Sequence, residues 1–378
     1  MGTVSGRAVW SLVALMASCH GRCGREGSTG PEQVEEPAVA RYGWAEPPAL
    51  EGEALEDVVE LGSSEQEFCA RRADGAVVCW GNRQNANAPK TPFTARVALG
   101  GAATALHFGY GGSCATLEDR SLWCWAGTGL WFTGEPVVRT PQQVPGVDVT
   151  GPVGVSTLGY CAVTGSPTRI RCDGALMDGY LHRDAGVTAQ EETPLEQVQG
   201  IRAVEAALAN YFCVRTEEAV RCFTQDEVAI PEPVRSWQQI SGSGAYLCGV
   251  DADGRVAAWY PNEERITRVE GVRDAVAVDC MDHGCILHAD RTVSCFAFAR
   301  AFRPTRYPAP LEPFRATRIE GVTGALQVAA GEGAACALLE DHTVVCWGRN
   351  NGSLGIGAPL VFSDDMPSYP PRRVRAPR

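Results

Sequence analysis

The segment CALLEDHTVVCWGRNNGSLGIG, residues 336–357, decides the fold of this 378-residue chain. Cys336 and Cys346 flank two short β-prone stretches that are separated by a turn containing Asp341. Residues 69–81, CARRADGAVVCWG, repeat this pattern with a glycine, Gly75, directly after the acid. If the two cysteines face each other, the loop is a three-residue β-hairpin connection, in which Gly75 takes the left-handed conformation.

The cysteine pattern recurs seven times. The first cysteines of the repeats are Cys69, Cys114, Cys161, Cys213, Cys248, Cys285 and Cys336. Six repeats have a second cysteine 9 to 11 residues later, at Cys79, Cys124, Cys172, Cys222, Cys295 and Cys346. Ala258 stands at the second position of the fifth repeat, and Asp173 replaces the following aromatic residue in the third. The repetition predicts one supersecondary unit used seven times.

Each unit contains further short strands. Stretches such as VVELGSS (58–64), WQQISGSG (237–244) and LQVAAGEG (326–333) lie upstream of a hairpin. Three or four strands in units of this length are typical of propeller blades, because a lone four-stranded sheet cannot bury both of its faces. The alternative architecture is an array of β-sandwiches.

These repeats resemble those of the regulator-of-chromosome-condensation family. Residues 336–357 carry the resemblance most fully, and CARRADGAVVCWGNRQN (69–85) carries it less completely. The resemblance covers about residues 50–378 and implies an all-β chain with a seven-bladed β-propeller at residues 49–378. It also implies that Tyr369–Val374 closes the ring beside Ala54–Leu61.

The first 18 residues have the features of a signal peptide. Arg7 is their only charge, and the apolar run AVWSLVALMA (8–17) is too short to span a bilayer. Met16-Ala17-Ser18-Cys19 resembles the lipobox of bacterial lipoproteins, with Met16 in place of the usual leucine, which implies cleavage before Cys19 and acylation of its thiol. His20, rather than an aspartate, follows, and by the same resemblance favours an outer-membrane or surface location in the bacterial cell envelope. An ordinary secretory signal is the alternative.

Residues 19–48 are rich in Gly, Pro and Glu and lack a sustained apolar period. This composition predicts a flexible tether.

Composition and sequence motifs argue against several function classes. The 45 acidic residues outnumber the 33 basic ones, giving a net charge of −12, which disfavours a nucleic-acid binder. The chain has no G-x-S-x-G, H-E-x-x-H or Walker-type motif. We therefore predict no catalytic residues, no cofactor and no metal.

Three patterns have both a functional and a structural interpretation. Cys280, His283 and Cys285 could hold zinc, but Cys285 belongs to the cysteine repeat. A ring of hairpin acids could bind calcium or a cationic partner, whereas acids also favour turns; these acids are Asp74, Asp119, Glu218, Asp253, Asp290 and Asp341. Tryptophans after the hairpins could form a recognition surface or fill the core; these are Trp80, Trp125, Trp259 and Trp347. We favour the structural interpretation in each case.

The function predicted from these features is a monomeric extracytoplasmic binding module. A lipid on Cys19 would hold it in the bilayer, and a propeller face would bind an unidentified protein or glycan. The alternative is a secreted lyase or hydrolase whose site lies at the mouth of the central channel, since a fold does not fix a function.

An oxidising compartment predicts that the cysteine ladder forms disulfides rather than buried thiols. The expected hairpin pairs are Cys69–Cys79, Cys114–Cys124, Cys161–Cys172, Cys213–Cys222, Cys285–Cys295 and Cys336–Cys346. Apart from Cys19 and Cys23 near the N-terminus, only Cys248 and Cys280 remain, and they lie in adjacent units. They either join across the blade boundary or stay as two buried thiols.

The lipid anchor gives a first prediction. Cells fed a labelled fatty acid should label the wild-type protein and not Cys19→Ala, because only the thiol at the cleavage site accepts the acyl chain. Equal labelling of the two proteins would contradict the lipobox assignment.

Overall fold

The computed structural model describes residues 53–64, 67–81, 94–109, 112–125, 127–128, 137–138, 140–156, 159–165, 169–174, 198–207, 211–223, 227–242, 246–261, 264–281, 283–297, 313–349, 354–356 and 368–377. All of them belong to one compact unit, residues 41–378. The predicted signal peptide, the tether and Cys19 lie outside the described residues. Among the helices of the described part, none has the length and apolar character needed to cross a membrane.

Seven sheets, each with at least three antiparallel strands, follow one another along the described chain. Each begins with an inner strand: β1 Val58–Ser63, β5 Ala103–Gly109, β11 Val149–Ser156, β14 Ile201–Ala207, β18 Gln239–Gly242, β22 Ala275–Cys280 and β27 Ala325–Ala330. The second strands are β2 Glu67–Arg72, β6 Gly112–Leu117, β12 Gly159–Thr164, β15 Tyr211–Thr216, β19 Leu247–Val250, β23 His283–His288 and β28 Ala334–Leu339. The third strands are β3 Val77–Gly81, β7 Leu122–Trp125, β13 Arg169–Gly174, β16 Val220–Phe223, β20 Val256–Tyr260, β24 Val293–Ala297 and β29 Val344–Arg349.

Outer strands complete six of these sheets within the described residues: β4 Ala95–Arg96, β10 Gln142–Gln143, β17 Glu227–Val228, β21 Arg265–Glu270, β26 Thr317–Arg318 and β30 Ser368–Arg373. Strand β25 (Phe314–Arg315) pairs in parallel with β21, and β8 (Gly127–Thr128) pairs with β9 (Val137–Val138). A single-turn helix, α1 (Glu232–Arg235), precedes the fifth inner strand.

The inner strands form a closed ring. Each contacts the inner strand of the next sheet, and β27 contacts β1. The sheets are therefore the seven blades of a β-propeller, numbered 1 to 7 from β1 onward. This confirms the predicted fold class, and the β-sandwich alternative is wrong.

Each blade buries both of its faces against its neighbours, which explains why its strands are apolar without strict alternation. The first four residues of β3, Val-Val-Cys-Trp, are all buried. One core cluster joins Val77 and Cys79 of blade 1 to Leu106, Ala115 and Trp125 of blade 2. Burial of one large apolar side chain stabilises the fold by about 1.5–3 kcal/mol, so much of a blade's stability comes from the adjacent blade.

The hairpin cysteines pair directly across the second and third strands, as the spacing predicts. The structure joins all six expected hairpin pairs, with Cα–Cα distances of 4.0–4.1 Å. In blade 5, Cys248 lies opposite Ala258 and bonds instead to Cys280 of blade 6, with 6.4 Å between the Cα atoms. The seventh disulfide therefore crosses a blade boundary.

A left-handed residue at the hairpin tip ties each of several blades to the next. Gly75 has φ of 79°, and its carbonyl oxygen accepts the amide proton of Ala103, the first residue of the next inner strand, at 2.9 Å. The same bond recurs at the pairs Arg120–Val149, Gly254–Ala275, Arg291–Ala325 and His342–Val58. A Cβ on Gly75 would lie 2.6 Å from the Cβ of Ala102, which explains the glycine there.

The ring closes where two distant parts of the chain complete one connector. At the sixth junction the amide of Val322 donates to Ile319 within a continuous Ile-Glu-Gly-Val stretch. At the seventh, the amide of Leu55 donates to Val374 at 2.8 Å, and Ala54 bridges Arg375. Strand β30 itself pairs with β29 as the outer strand of blade 7, so the expected contact with Ala54–Leu61 is limited to this connector.

The inter-blade disulfide gives a second prediction. Replacing Cys248 and Cys280 together by alanine should lower the free energy of unfolding by about 2–4 kcal/mol, because the crosslink closes a longer loop of the unfolded chain than a hairpin bridge does. The matched control is Cys69→Ala with Cys79→Ala, expected to lose slightly less. Urea unfolding measures both, and alkylation of Cys248 and Cys280 in folded, non-reduced wild-type protein would refute the bridge.

Candidate functional site in the central channel

One position of each inner strand pairs with the first cysteine of its hairpin. These residues, which we call the channel ring, are Gly62, His107, Gly154, Glu205, Ser241, Asp279 and Ala329. A cavity of about 300 Å³ runs along the channel, and Gly62, His107, Glu205 and Asp279 line it. The ring thus brings a histidine and two carboxyl groups into a cavity whose other walls include Leu61, Phe108 and Val204.

Asp279 connects its own blade to both of its neighbours. One carboxylate oxygen accepts the hydroxyl proton of Ser241 on blade 5 at 2.7 Å. The other accepts the amide proton of Ala330 on blade 7, also at 2.7 Å. Burial raises the pKa of Asp279, and these hydrogen bonds oppose that rise. Both oxygens therefore have protein partners, and Asp279 stabilises the ring.

Glu205 has far fewer partners. One carboxylate oxygen accepts the amide proton of Gly242 at 3.3 Å, and the other accepts no hydrogen bond from the residues that the structure describes. Burial, followed by the negative charge of Asp279, raises the pKa of Glu205 to about 8. Its side chain therefore holds a proton over most of the physiological pH range.

His107 adds no positive charge to the cavity. Its Nε2 lies 2.8 Å from the hydroxyl of Thr116, and burial lowers its pKa to about 4. The imidazole is consequently neutral at physiological pH.

Polar side chains two residues before the ring position hold neighbouring inner strands together. The Glu60 carboxylate accepts the amide proton of Leu106 at 3.0 Å, and Gln327 accepts that of Leu61 at 2.8 Å. Gln239 both accepts from the amide of Val278 and donates to its carbonyl. These polar groups stabilise the propeller.

A bulge at the start of five inner strands places one extra residue outside the ladder. These residues, which we call the collar, are Val59, Thr104, Arg202, Val276 and Leu326. Val276 is 52% exposed and Leu326 is 39% exposed, and they are the exposed large hydrophobic residues of the described part. They lie in adjacent blades, at the same end of the inner strands as the hairpin tips.

The structure shows where the residues of the three patterns with two interpretations lie. Cys280 and Cys285 are both in disulfides, so neither is a free thiolate that could join His283 as a zinc ligand. A second group of ligand-type residues, Glu67 with Cys69 and Cys79, fails for the same reason. The four hairpin tryptophans are at most 3% exposed and pack in the core.

The hairpin acids act in turns. Asp74, Asp119, Asp290 and Asp341 each accept the amide proton two residues later. The predicted turn acid is wrong in two of the six hairpins. In these turns the amide proton is accepted by Asp251 rather than Asp253, and by the Thr216 hydroxyl rather than Glu218. Hydrogen bonds from Thr292, then from Arg318, lower the pKa of Asp290 to about 2, as expected for an ion-paired turn.

No local motif in the sequence singles out Glu205 or Asp279. Both lie in the interval of six to eight residues before the first cysteine, where the other repeats have Gly, His, Ser or Ala. Comparing this position across the repeats would have shown two acids in an otherwise small or neutral set.

Known proteins support the fold. Residues 326–352 match the regulator of chromosome condensation (RCC1) repeat. The human protein WBSCR16 is 15% identical, with a TM-score of 0.53, and the match covers 76% of this chain and 85% of that chain. This chain is a seven-bladed propeller whose segment 326–352 matches the RCC1 repeat.

Two other solved structures are similar to this propeller. The ectodomain of the Arabidopsis thaliana receptor kinase ACR4 is 20% identical, with a TM-score of 0.49, over 81% of this chain and all of that chain. Saccharomyces cerevisiae Prp20p is 13% identical, with a TM-score of 0.41, over 84% of this chain and 77% of that chain. No curated protein sequence matches the propeller.

Glu205 gives a third prediction, in which stability depends on pH. Because its pKa is about 8 in the folded chain and about 4.5 when exposed, the folded state holds a proton that the unfolded state releases between these values. Stability therefore falls as pH rises through this window. Glu205→Gln should match wild type near pH 5 and exceed it by on the order of 1–3 kcal/mol near pH 8.

Glu227→Gln is the control, and its effect on the free energy of unfolding has the opposite sign. Hydrogen bonds from Arg221 lower the pKa of Glu227, so this variant should be less stable than wild type at neutral pH and equal to it in acid. Thermal unfolding from pH 3 to pH 8.5 measures all three proteins, because the Glu227 difference disappears only below its unfolded-state pKa of 4.5. A Glu205→Gln difference that does not change with pH would contradict the raised pKa.

Proposed function

We propose that this propeller is an extracytoplasmic, lipid-anchored module that binds a protein partner. Its repeats and fold are suited to protein binding, and its disulfides are typical of proteins that fold outside the cytosol. The signal-like residues 1–18 and Cys19 support attachment to the bacterial cell envelope, at the outer membrane or surface. A secreted form without the lipid remains the alternative location.

The exposed residues of the collar are the main support for this proposal. Val276 and Leu326 expose aliphatic side chains on neighbouring blades, and the half-buried Val59 continues the row into blade 1. Exposed aliphatic residues surrounded by polar ones are typical of the centre of a protein interface. Thr104 and Arg202 are exposed on the other side of the collar and supply the polar part.

The rigidity of the ring favours tight binding. Each collar residue sits in a bulge whose flanking residues pair with the second strand, so the backbone there is already ordered before a partner arrives. A pre-ordered surface loses little conformational entropy on association.

A secreted enzyme is the second candidate, and the channel favours it. Glu205 is protonated near neutral pH and shares a cavity with Asp279, and a carboxylic acid of this kind can act as a general acid. Turnover of a polysaccharide or peptide panel that Glu205→Gln abolishes would support this candidate over a binding module.

The fourth prediction tests the binding face in intact cells. A photo-crosslinking amino acid at Val276 or Leu326 of the full-length protein should capture one discrete protein, because these side chains are exposed at the proposed interface. Gln143, exposed on the outer strand of blade 2, is the matched control position and should capture no protein reproducibly. Mass spectrometry of the crosslinked species identifies the partner.

Charge substitution provides a second arm. Leu326→Asp should abolish the crosslink formed from Val276, because an aspartate buried in an apolar interface lacks a partner. Gln143→Asp should leave it unchanged. Identical crosslinks at the collar and at Gln143, or none at either, would contradict binding at this face, and capture of sugar alone would identify a glycan ligand.

A further inference from the structure

The channel cavity contains a carboxyl group whose hydrogen-bonding capacity is largely unused. Glu205 lines this cavity, and only its contact with the Gly242 amide, at 3.3 Å, involves a described residue. Asp279, in the same cavity, accepts two hydrogen bonds of 2.7 Å. The two acids therefore differ in role, because Asp279 is satisfied within the protein and Glu205 is not.

No described cation forms an ion pair with Glu205. Arg202 lines the cavity on the same strand but donates to Glu217. Arg215, on the paired strand β15, donates to Gln238. Other ionisable groups around the channel are Asp279, the neutral His107, His283, which lowers the pKa of Asp279, and Glu60, which pairs with Arg71. The charge that acts on Glu205 is the negative one of Asp279, and the net charge of −12 adds to it at longer range.

The walls of the cavity combine polar and apolar groups. Leu106, Phe108, Val153 and Met281 line it, and so does Ser63. Ca²⁺ and Mg²⁺ require six or more oxygen ligands, and Glu205 is the one carboxylate here that lacks protein partners for most of its lone pairs. An ammonium group on an aliphatic stem needs only one such carboxylate, because the charge meets Glu205 while the stem contacts the apolar part of the wall.

We propose that this cavity binds a primary alkylammonium group, with Glu205 as its counter-ion. The amine enters already protonated, and Glu205 transfers its own proton to solvent as the ion pair forms. Each ammonium bound therefore releases up to one proton. The ligand is either a free amine or a lysine side chain of a protein partner, which present the same chemistry.

The site does not depend on the proposed protein-binding role, because a free amine alone can occupy it. If the collar experiments fail and the amine binds, the cavity is a small-molecule site. If the collar captures a partner and the amine does not bind, this inference fails by itself.

Calorimetry on the full-length protein in mild detergent tests the proposal. The probes are n-butylammonium, its uncharged analogue n-butanol, and N-acetyl-lysine methylamide, which represents a protein-borne lysine. We expect the butylammonium to bind, n-butanol to bind at least tenfold more weakly, and Glu205→Gln to weaken butylammonium binding at least tenfold. Glu270→Gln, an exposed acid on β21, is the matched control and should bind like wild type. Binding by the lysine derivative identifies a protein side chain as the source, and its exclusion identifies a free amine.

Proton release can be measured on the wild-type protein, so this test does not require Glu205→Gln to fold. In wild type at pH 6.5, the binding enthalpy should differ between buffers of different ionisation enthalpy by an amount corresponding to nearly one proton. Affinity should rise close to tenfold from pH 6 to pH 7, since the competing proton is removed. Absence of binding at millimolar amine, or binding that neither pH nor Glu205→Gln changes, would overturn the proposal.

Discussion

The hydrogen bond from a hairpin tip to the next inner strand is the constraint on which this propeller depends. A propeller has no single core, so each blade is stable only while it is held against its neighbours. The tip residue must be left-handed for its carbonyl to reach the following blade, and five described junctions share this geometry. The bond between His342 and Val58 extends it across the junction where the ring closes.

Disulfides and polar side chains stabilise the contacts within and between blades. Six disulfides fix the second and third strands within single blades, and one joins blades 5 and 6. Between blades, Glu60, Gln239, Gln327 and Asp279 act through backbone amides of the adjacent inner strand. Because each of these side chains already holds an adjacent inner strand, Glu205 is distinguished from them by its partners rather than by its residue type.

The sequence predicted what local spacing determines. Cysteines ten residues apart and an acid followed by glycine define a hairpin, and these features predicted the blades, the pairing and the conformation of Gly75. Arg120, Arg291 and His342 take the same left-handed conformation without a glycine, since the inter-blade bond imposes it, and this was not evident from residue type. The channel site was not predicted, because its residues do not share one fixed spacing within the repeats. The distance from the ring position to the first cysteine varies from six to eight residues, so a comparison at one fixed spacing does not align Glu205 and Asp279 with their equivalents.

The hairpin disulfides also determine an order for oxidative folding. Each joins a cysteine to the next one along its own hairpin, 9 to 11 residues away, so it can form without any contact between blades. Cys248 has no such neighbour and reaches Cys280 only when blades 5 and 6 have docked. An unpaired Cys248 thiol therefore remains until that docking occurs, and it distinguishes molecules in which the junction of blades 5 and 6 is still incomplete.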